Sequence, residues 1–131
     1  MILALDSDSH FDVDPTTAVG TELLFENNRL RVWKMHLAPG ESSALHKHLY
    51  DYVFVYASPG MMEVHSVDGS EPSRQPSAED FVSYREVGRS GLTPHVLKNV
   101  GDHASTHYIV ELIGNSRSPD PSAPEDNGRR L

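Results

Sequence analysis

The sequence predicts an all-β domain, a sandwich or barrel built from about eight or nine short strands. Runs rich in β-branched and aromatic residues recur along the chain, and clusters of Gly, Pro, Asn, Asp and Ser separate them. No stretch carries a convincing helical period. The 131 residues fit one domain that can bury its own core.

The first twenty residues form the least patterned part before the strands begin. They are rich in Asp, Ser and Thr, contain Pro15 and Gly20, and show no sustained period. We interpret residues 1–20 as an N-terminal arm, in which the MILAL segment pairs as an edge strand or docks on a partner subunit.

A hairpin follows the arm. The run ELLFE is joined to RLRVWKMHLAPGE by Asn27 and Asn28, two residues that favour turns. Val32 and Trp33 are adjacent apolar residues, which indicates a strand covered on both faces or one that carries a bulge.

The remaining strands are predicted from shorter runs. YVFVYA is a strong strand by its β-branched and aromatic content, and MMEVHSV after the Pro59-Gly60 turn is its expected hairpin partner. Residues 68–80 are a polar loop, and FVSY, the segment around His95 and THYIVELIG complete a domain over residues 21–114. Residues 115–131, with three prolines and almost nothing apolar, are predicted to be a disordered tail.

Composition excludes several classes of function. The chain has no cysteine, so disulfides, zinc fingers and a catalytic thiolate are excluded. The net charge of −8 is spread along the chain without a basic cluster, so nucleic acid is not an expected partner. No apolar run approaches the length of a membrane span or a signal peptide, and we expect a soluble, cytoplasmic protein that does not bind membranes.

Histidines mark the candidate site. His46 and His48 lie two residues apart on an extended segment, so both side chains face one way and lie about 7 Å apart along the strand. Such a pair suits the binding of one metal ion, although it is also compatible with a solvated strand face. His95, on a later strand, is the third candidate, and together the three indicate a three-histidine site inside a barrel.

These residues resemble the motifs of a single-domain cupin. The first cupin motif begins Gly, five residues, His-x-His, and Gly40, His46 and His48 match it. The position of the family's usual Glu holds Tyr52, and the closing glycine comes one place late.

The second cupin motif ends His, three residues, Asn, as in His95 and Asn99. Its upstream Pro-x-Gly is not in place, since Gly91 and Pro94 are displaced. The resemblance covers roughly residues 20–113 and implies a cupin-type (jelly-roll) β-barrel with a metal bound by His46, His48 and His95.

The replacement of the cupin motif's Glu by Tyr52 changes the charge and the number of open positions expected at the metal. Three neutral imidazoles leave a divalent ion its full charge, which favours anionic or enolate ligands. Three protein ligands also leave one to three coordination positions open, as in catalytic sites. An all-nitrogen set suits one Fe(II), Zn, Ni or Cu ion per chain rather than Mg or Ca.

Other side chains are less strongly indicated as functional residues than the three histidines. Tyr52 is the candidate catalytic residue for hydrogen bonding or proton transfer, although Tyr52, Phe54 and Tyr56 can equally well just fill the barrel. Asp51 reaches the metal only if the chain bends after His48. His107 and Glu111 can share one face of the last strand. The remaining histidines are interpreted as surface residues or as neighbours of the ligands, and His10 in the arm is assigned no role.

Three classes of function remain open. The first is a metal-dependent enzyme acting on a small molecule, for which the resemblance implies dioxygenase chemistry or lyase, isomerase or cyclase chemistry. The second is a non-catalytic cupin that binds or senses a small ligand, and the third is a metal-free structural cupin. We also expect a homodimer formed through MILAL or the ELLFE strand.

Overall fold

A computed structural model of the protein describes residues 14–114. They form eight strands: β1 (Glu22–Glu26), β2 (Arg31–Leu37), β3 (Tyr52–Tyr56), β4 (Gly60–Ser66), β5 (Ser73–Ser77), β6 (Val82–Arg85), β7 (His95–Asn99) and β8 (Ser105–Glu111). Within these residues there is no helix of the length and apolarity needed to span a membrane. The all-β prediction is confirmed.

The strands form two antiparallel sheets that enclose the core. One sheet has the order β1-β2-β8-β3-β6 and the other the order β5-β4-β7. Side chains from both sheets, together with residues from the connecting segments, build one buried apolar cluster: Val19, Trp33, Met35, Leu37, Tyr52, Tyr56, Met62, Val87 and Ile109. The jelly-roll architecture expected from the resemblance is confirmed.

The predicted β1–β2 hairpin forms. The side chain of Asn27 closes its turn, because Oδ1 accepts hydrogen bonds from the backbone N–H groups of Arg29 and Leu30 at 2.8 and 2.9 Å. The register shifts between Leu23 and Phe25, so the irregularity lies in β1 rather than in β2, where adjacent Val32 and Trp33 suggested it.

The predicted pairing of YVFVYA with MMEVHSV is wrong. Strand β3 pairs with β6 and β8, whereas β4 pairs with β5 and β7 in the other sheet. Both edges of β3 are therefore occupied, and the chain crosses between the sheets at Pro59 and Gly60 instead of folding back on itself.

The segment predicted as a polar loop contains a strand. Strand β5 lies within residues 68–80 and pairs with β4 along its length. It is an edge strand and largely exposed, which is where a strand tolerates Pro76 and needs few apolar residues. Backbone pairing, and not apolar content, therefore defines β5.

Part of the predicted arm is attached to the barrel. The Thr16 N–H donates to the carbonyl of Leu45 at 3.0 Å, the Lys47 N–H donates to the carbonyl of Thr16 at 2.9 Å, and Val19 is fully buried. Residues 14–20 thus belong to the folded body. The MILAL segment, His10 and the predicted tail at 115–131 lie outside the described residues.

Asn99 secures the end of β7. It is fully buried, and its amide group donates to the carbonyls of Leu37 and His103, both at 2.9 Å, while its Oδ1 accepts from the Gly101 N–H at 2.9 Å. The Asn of the second motif therefore has a structural role: it holds the turn that follows the strand of His95.

Strand β1 leaves an apolar edge exposed. Leu23, Leu24 and Phe25 are 43%, 46% and 52% exposed, and within residues 14–114 β1 pairs on one side only. Despite its register shift, an apolar edge of this kind offers backbone groups to a second copy. We propose that two copies pair through β1, so that light scattering gives twice the chain mass and Leu24→Lys lowers it to that of one chain.

The second edge of the same sheet supplies the control. Val82 on β6 is 57% exposed, and Val82→Lys should leave the dimer intact. Deletion of residues 1–13 tests the MILAL segment separately. A single-chain mass for the unmodified protein would refute the proposal, and a dimer lost only with Val82→Lys would move the interface to β6.

Candidate metal centre

The segment that carries the first two histidines lies alongside β7. The backbone groups of His46 and His95 exchange two hydrogen bonds, each 3.0 Å long, and the two residues are antiparallel partners. Partners in such a pair project their side chains from the same face. His48, two residues after His46, joins that face as its spacing predicts.

The three imidazole rings form a compact group. One ligand atom from each of His46, His48 and His95 lies within 4.8 Å of the others, and the ring centroids are 4.5 to 5.2 Å apart. His46 and His48 are 3% and 4% exposed, and His95 is half-buried. Three nitrogen donors converging at this distance can hold one metal ion.

Backbone carbonyls set the protonation of two rings. The Nδ1 atoms of His46 and His95 lie 2.9 and 3.3 Å from the carbonyls of Ala44 and Thr93. A carbonyl only accepts, so each Nδ1 carries the proton and each neutral ring keeps its Nε2 lone pair free. Metal-bound histidines are commonly oriented in this way.

His48 provides the test of whether the site fits a metal. Its Nδ1 atom is buried and has no hydrogen-bond partner among residues 14–114, and its ring lies against His46 and His95. A buried polar atom without a partner is unusual in a folded protein. Together with the all-nitrogen donor set, this arrangement fits a transition-metal ion.

Burial keeps the rings neutral. Desolvation and, secondarily, the neighbouring His95 lower the pKa of His46 to about 4. Desolvation and the other rings lower the pKa of His48 to about 2, and desolvation also lowers the pKa of His95. At neutral pH the three rings are therefore neutral imidazoles rather than imidazolium ions, as metal ligands must be.

Tyr52 lies beside the histidine group. It is 7% exposed, and its ring stacks on His48 with centroids 4.1 Å apart. Burial raises the pKa of Tyr52, and the positive charge of Arg85 partly offsets that rise. The phenol is therefore a hydrogen-bond donor at neutral pH. Its catalytic role stays a prediction.

The two carboxylates considered in the sequence are engaged elsewhere. Asp51 accepts a hydrogen bond from the Val87 N–H at 2.8 Å. Glu111 is 1% exposed and accepts from the Trp33 indole N–H at 2.8 Å, and burial raises its pKa. Neither belongs to the metal-binding group within residues 14–114.

The histidine group borders a cavity of about 290 Å³ between the sheets. Its walls include His46, His48, Tyr52, Phe54, His95 and His107. This volume lies at the small end of ligand sites, which typically span about 300–1,000 Å³. The cavity therefore suits a small molecule in contact with the three histidines.

Two lining residues were not recognised as such in the sequence. Arg85 lies opposite Tyr52 in the β3–β6 register and lines the cavity. His107 is buried and lines it as well, and it shares the inner face of β8 with Glu111 as expected. Only the strand register reveals these positions.

The remaining described histidines lie away from the cavity lining. His36 and His103 are exposed, and His65 contacts Glu63 at 2.8 Å.

Comparison with known proteins identifies the fold. No protein-family model and no curated protein matches the sequence. A cupin domain of Bordetella pertussis has 20% identity and a TM-score of 0.61 over 76% of this chain and 97% of its own. A double-stranded β-helix protein of Klebsiella pneumoniae has 22% identity and a TM-score of 0.56 over 82% and 87%.

A third structure has a similar fold. The RmlC-like cupin protein of Methanocaldococcus jannaschii has 16% identity and a TM-score of 0.55, covering 70% of this chain and 76% of its own. The fold is therefore that of the cupins, a double-stranded β-helix. In this chain, three histidines cluster on the wall of the cavity.

Proposed function

We propose that the protein binds one divalent transition-metal ion per chain through His46, His48 and His95. Through that ion it acts on a small organic molecule that is an anion or becomes one on enolisation. The observation that carries the proposal is the convergence of three neutral imidazoles, without a carboxylate in the group, on the wall of the cavity between the sheets.

The donor set restricts the metal. Nitrogen ligands favour Fe(II), Zn, Ni or Cu over Mg or Ca, which prefer oxygen. Three protein ligands leave coordination positions for substrate. Such an ion supplies either oxygen chemistry, as in a dioxygenase, or Lewis-acid chemistry, as in a lyase, isomerase or cyclase.

The cavity lining carries one cation, Arg85, and one carboxylate, Asp68, and the cation lies opposite Tyr52 in the strand register. The Arg85 guanidinium lies 5.7 Å from the Phe54 ring centroid, on the side of the cavity where Tyr52 stacks on His48. Arg85 forms no ion pair with a carboxylate of residues 14–114. An unpaired guanidinium beside a phenol donor can bind an oxyanion despite the net charge of −8.

Tyr52 is the residue best placed to donate a hydrogen bond to a substrate bound at the metal. Its phenol is buried against His48, and its raised pKa keeps the proton on the oxygen. In this position it would donate a hydrogen bond to a substrate oxygen and stabilise the charge that develops there. A non-catalytic ligand-binding protein would use the same contact without turnover.

Metal content is the first prediction. Purified protein should contain close to one transition-metal ion per chain, and His46→Ala combined with His48→Ala should remove it, because a single remaining imidazole holds such an ion weakly. Elemental analysis measures both values, and the identity of the metal separates oxygen chemistry from Lewis-acid chemistry.

His103→Ala is the matched control, because it removes an imidazole that is 83% exposed and remote from the group. It should leave the metal content unchanged. If the double variant keeps the metal of the wild type, the ligands are other residues and the proposal is wrong.

The second prediction concerns Tyr52. Tyr52→Glu should tighten metal binding and weaken azide binding, since a carboxylate fills one coordination position and cancels one unit of charge. Tyr52→Phe should keep the metal, because a neutral phenol is not a ligand. Titrations of metal and azide measure both effects.

Two outcomes would contradict this arrangement. Loss of metal in Tyr52→Phe would make the tyrosine a ligand. If Tyr52→Glu changes neither titration, residue 52 does not face the ion.

The third prediction concerns Arg85. Arg85→Gln should weaken the binding of propanoate to the metal-loaded protein about tenfold, because a charge-assisted hydrogen bond is lost, and should leave metal affinity unchanged. Isothermal titration calorimetry measures both. Arg74→Gln is the control, since both arginines are exposed but Arg74 pairs with Glu63 at 3.1 Å and does not line the cavity. Equal losses in both variants would indicate only a long-range effect of net charge.

A further inference from the structure

The cavity has a second polar wall away from the histidine group. His107 is 5% exposed and lies on the inner face of β8. It is the strand partner of Tyr56, and its ring stacks on Tyr56 with centroids 4.4 Å apart and meets Phe54 at 5.9 Å. Apolar contacts therefore surround an imidazole that lines the cavity.

Two buried polar atoms on the inner face of β8 have no hydrogen-bond partner among residues 14–114: the His107 Nδ1 atom and the hydroxyl of Ser105, two residues earlier. Of these two residues only His107 lines the cavity, and because its Nδ1 atom is inaccessible, Nε2 is the atom left to meet a ligand. Ser105 is 1% exposed. A buried polar atom without a partner weakens a fold, and an apolar residue at position 107 would pack against Tyr56 at no such cost.

His107 is separate from the metal-binding group, to which it contributes no ligand atom. A row of three rings along β3 connects the two walls, with centroids 6.2 Å apart from Tyr52 to Phe54 and 6.0 Å apart from Phe54 to Tyr56. His48 stacks on the first ring and His107 on the last. His48 and His107 thus stack on the two ends of an aromatic row, although they remain close enough for His107 to contribute to the lowered pKa of His48.

The protonation state of His107 suits a neutral partner. Burial lowers its pKa to about 4, with a smaller effect from His46. At neutral pH the ring is uncharged and has one N–H donor and one acceptor nitrogen. It can therefore pair with a hydroxyl or carbonyl group, whereas Arg85 and the metal attract the anionic group.

We propose that His107 is a specificity-determining residue that contacts the end of the ligand remote from the metal. The ligand class is a small carboxylic acid that carries a hydroxyl or carbonyl group several carbon atoms from its carboxylate. Its carboxylate binds at the three histidines and its apolar portion lies along Phe54. This inference rests on the proposed metal site.

The test compares matched acids on the metal-loaded protein. Calorimetry gives the affinities of 4-hydroxybutanoate, 5-hydroxypentanoate and 6-hydroxyhexanoate and of the three parent acids that lack the hydroxyl. We expect the best hydroxy acid to bind about fivefold more tightly than its parent, the effect of one hydrogen bond. His107→Leu should abolish that preference by weakening the binding of the hydroxy acid relative to its parent.

Two further variants separate specificity from packing. His107→Gln keeps a donor and an acceptor and should restore part of the preference. Phe54→Leu, which changes the apolar wall, should weaken both acids equally. The melting temperature of His107→Leu should equal or exceed that of the wild type, because an unpaired polar group has been removed.

The results distinguish this inference from the proposed function. If the wild type holds its metal but shows no preference for any hydroxy acid, or if His107→Leu keeps the preference, the His107 inference is wrong and the metal site stands. A fall in melting temperature of more than about 4 °C in His107→Leu with the preference intact would make the imidazole a packing residue. If the wild type binds no metal, the proposed function fails and this inference fails with it.

Discussion

The reciprocal backbone pair between His46 and His95 is the interaction on which the site depends. Its two hydrogen bonds, each 3.0 Å long, hold two residues that are far apart in the sequence directly opposite each other. An antiparallel pair of this kind fixes the direction of both side chains, so the backbone brings the two imidazoles together. His48 then needs only its spacing from His46 to complete the group.

The position of that pair depends in turn on both of its neighbours. On one side β7 is paired along its length with β4, and Asn99 secures its far end through three hydrogen bonds. On the other side Thr16 binds the backbone of Leu45 and Lys47. The histidine segment therefore behaves as an inner strand although it is short and irregular, which explains how it holds buried rings in fixed orientations.

The sequence was sufficient for features that depend on local pattern. The β1–β2 hairpin followed from Asn27 and Asn28 between two apolar runs, and the shared face of His46 and His48 followed from strand periodicity. Strand β5 could not be predicted, because its residues are polar and only pairing with β4 makes them a strand. The β3–β4 turn was misread for a related reason: a Pro-Gly pair marks a change of direction but not the sheet to which the chain returns.

The residues that line the cavity could not be predicted from the sequence either. Arg85 and His107 line the cavity because β6 and β8 flank β3 in a particular register, and register between distant strands has no local signature. The carbonyls of Ala44 and Thr93, which set the protonation of two rings, are backbone groups that any residue type supplies. Residue identity therefore indicated the candidate ligands but not the atoms that orient them.

The contact of Thr16 with the histidine segment has a thermodynamic consequence. The two hydrogen bonds of Thr16 flank His46, so the attachment of residues 14–20 supports the geometry of the histidine group. If a metal occupies that group, any free energy with which attachment favours occupation must equally favour attachment on occupation, because linkage is reciprocal. A molecule that captured the detached segment would consequently act as a competitor of the metal without ever touching the cavity.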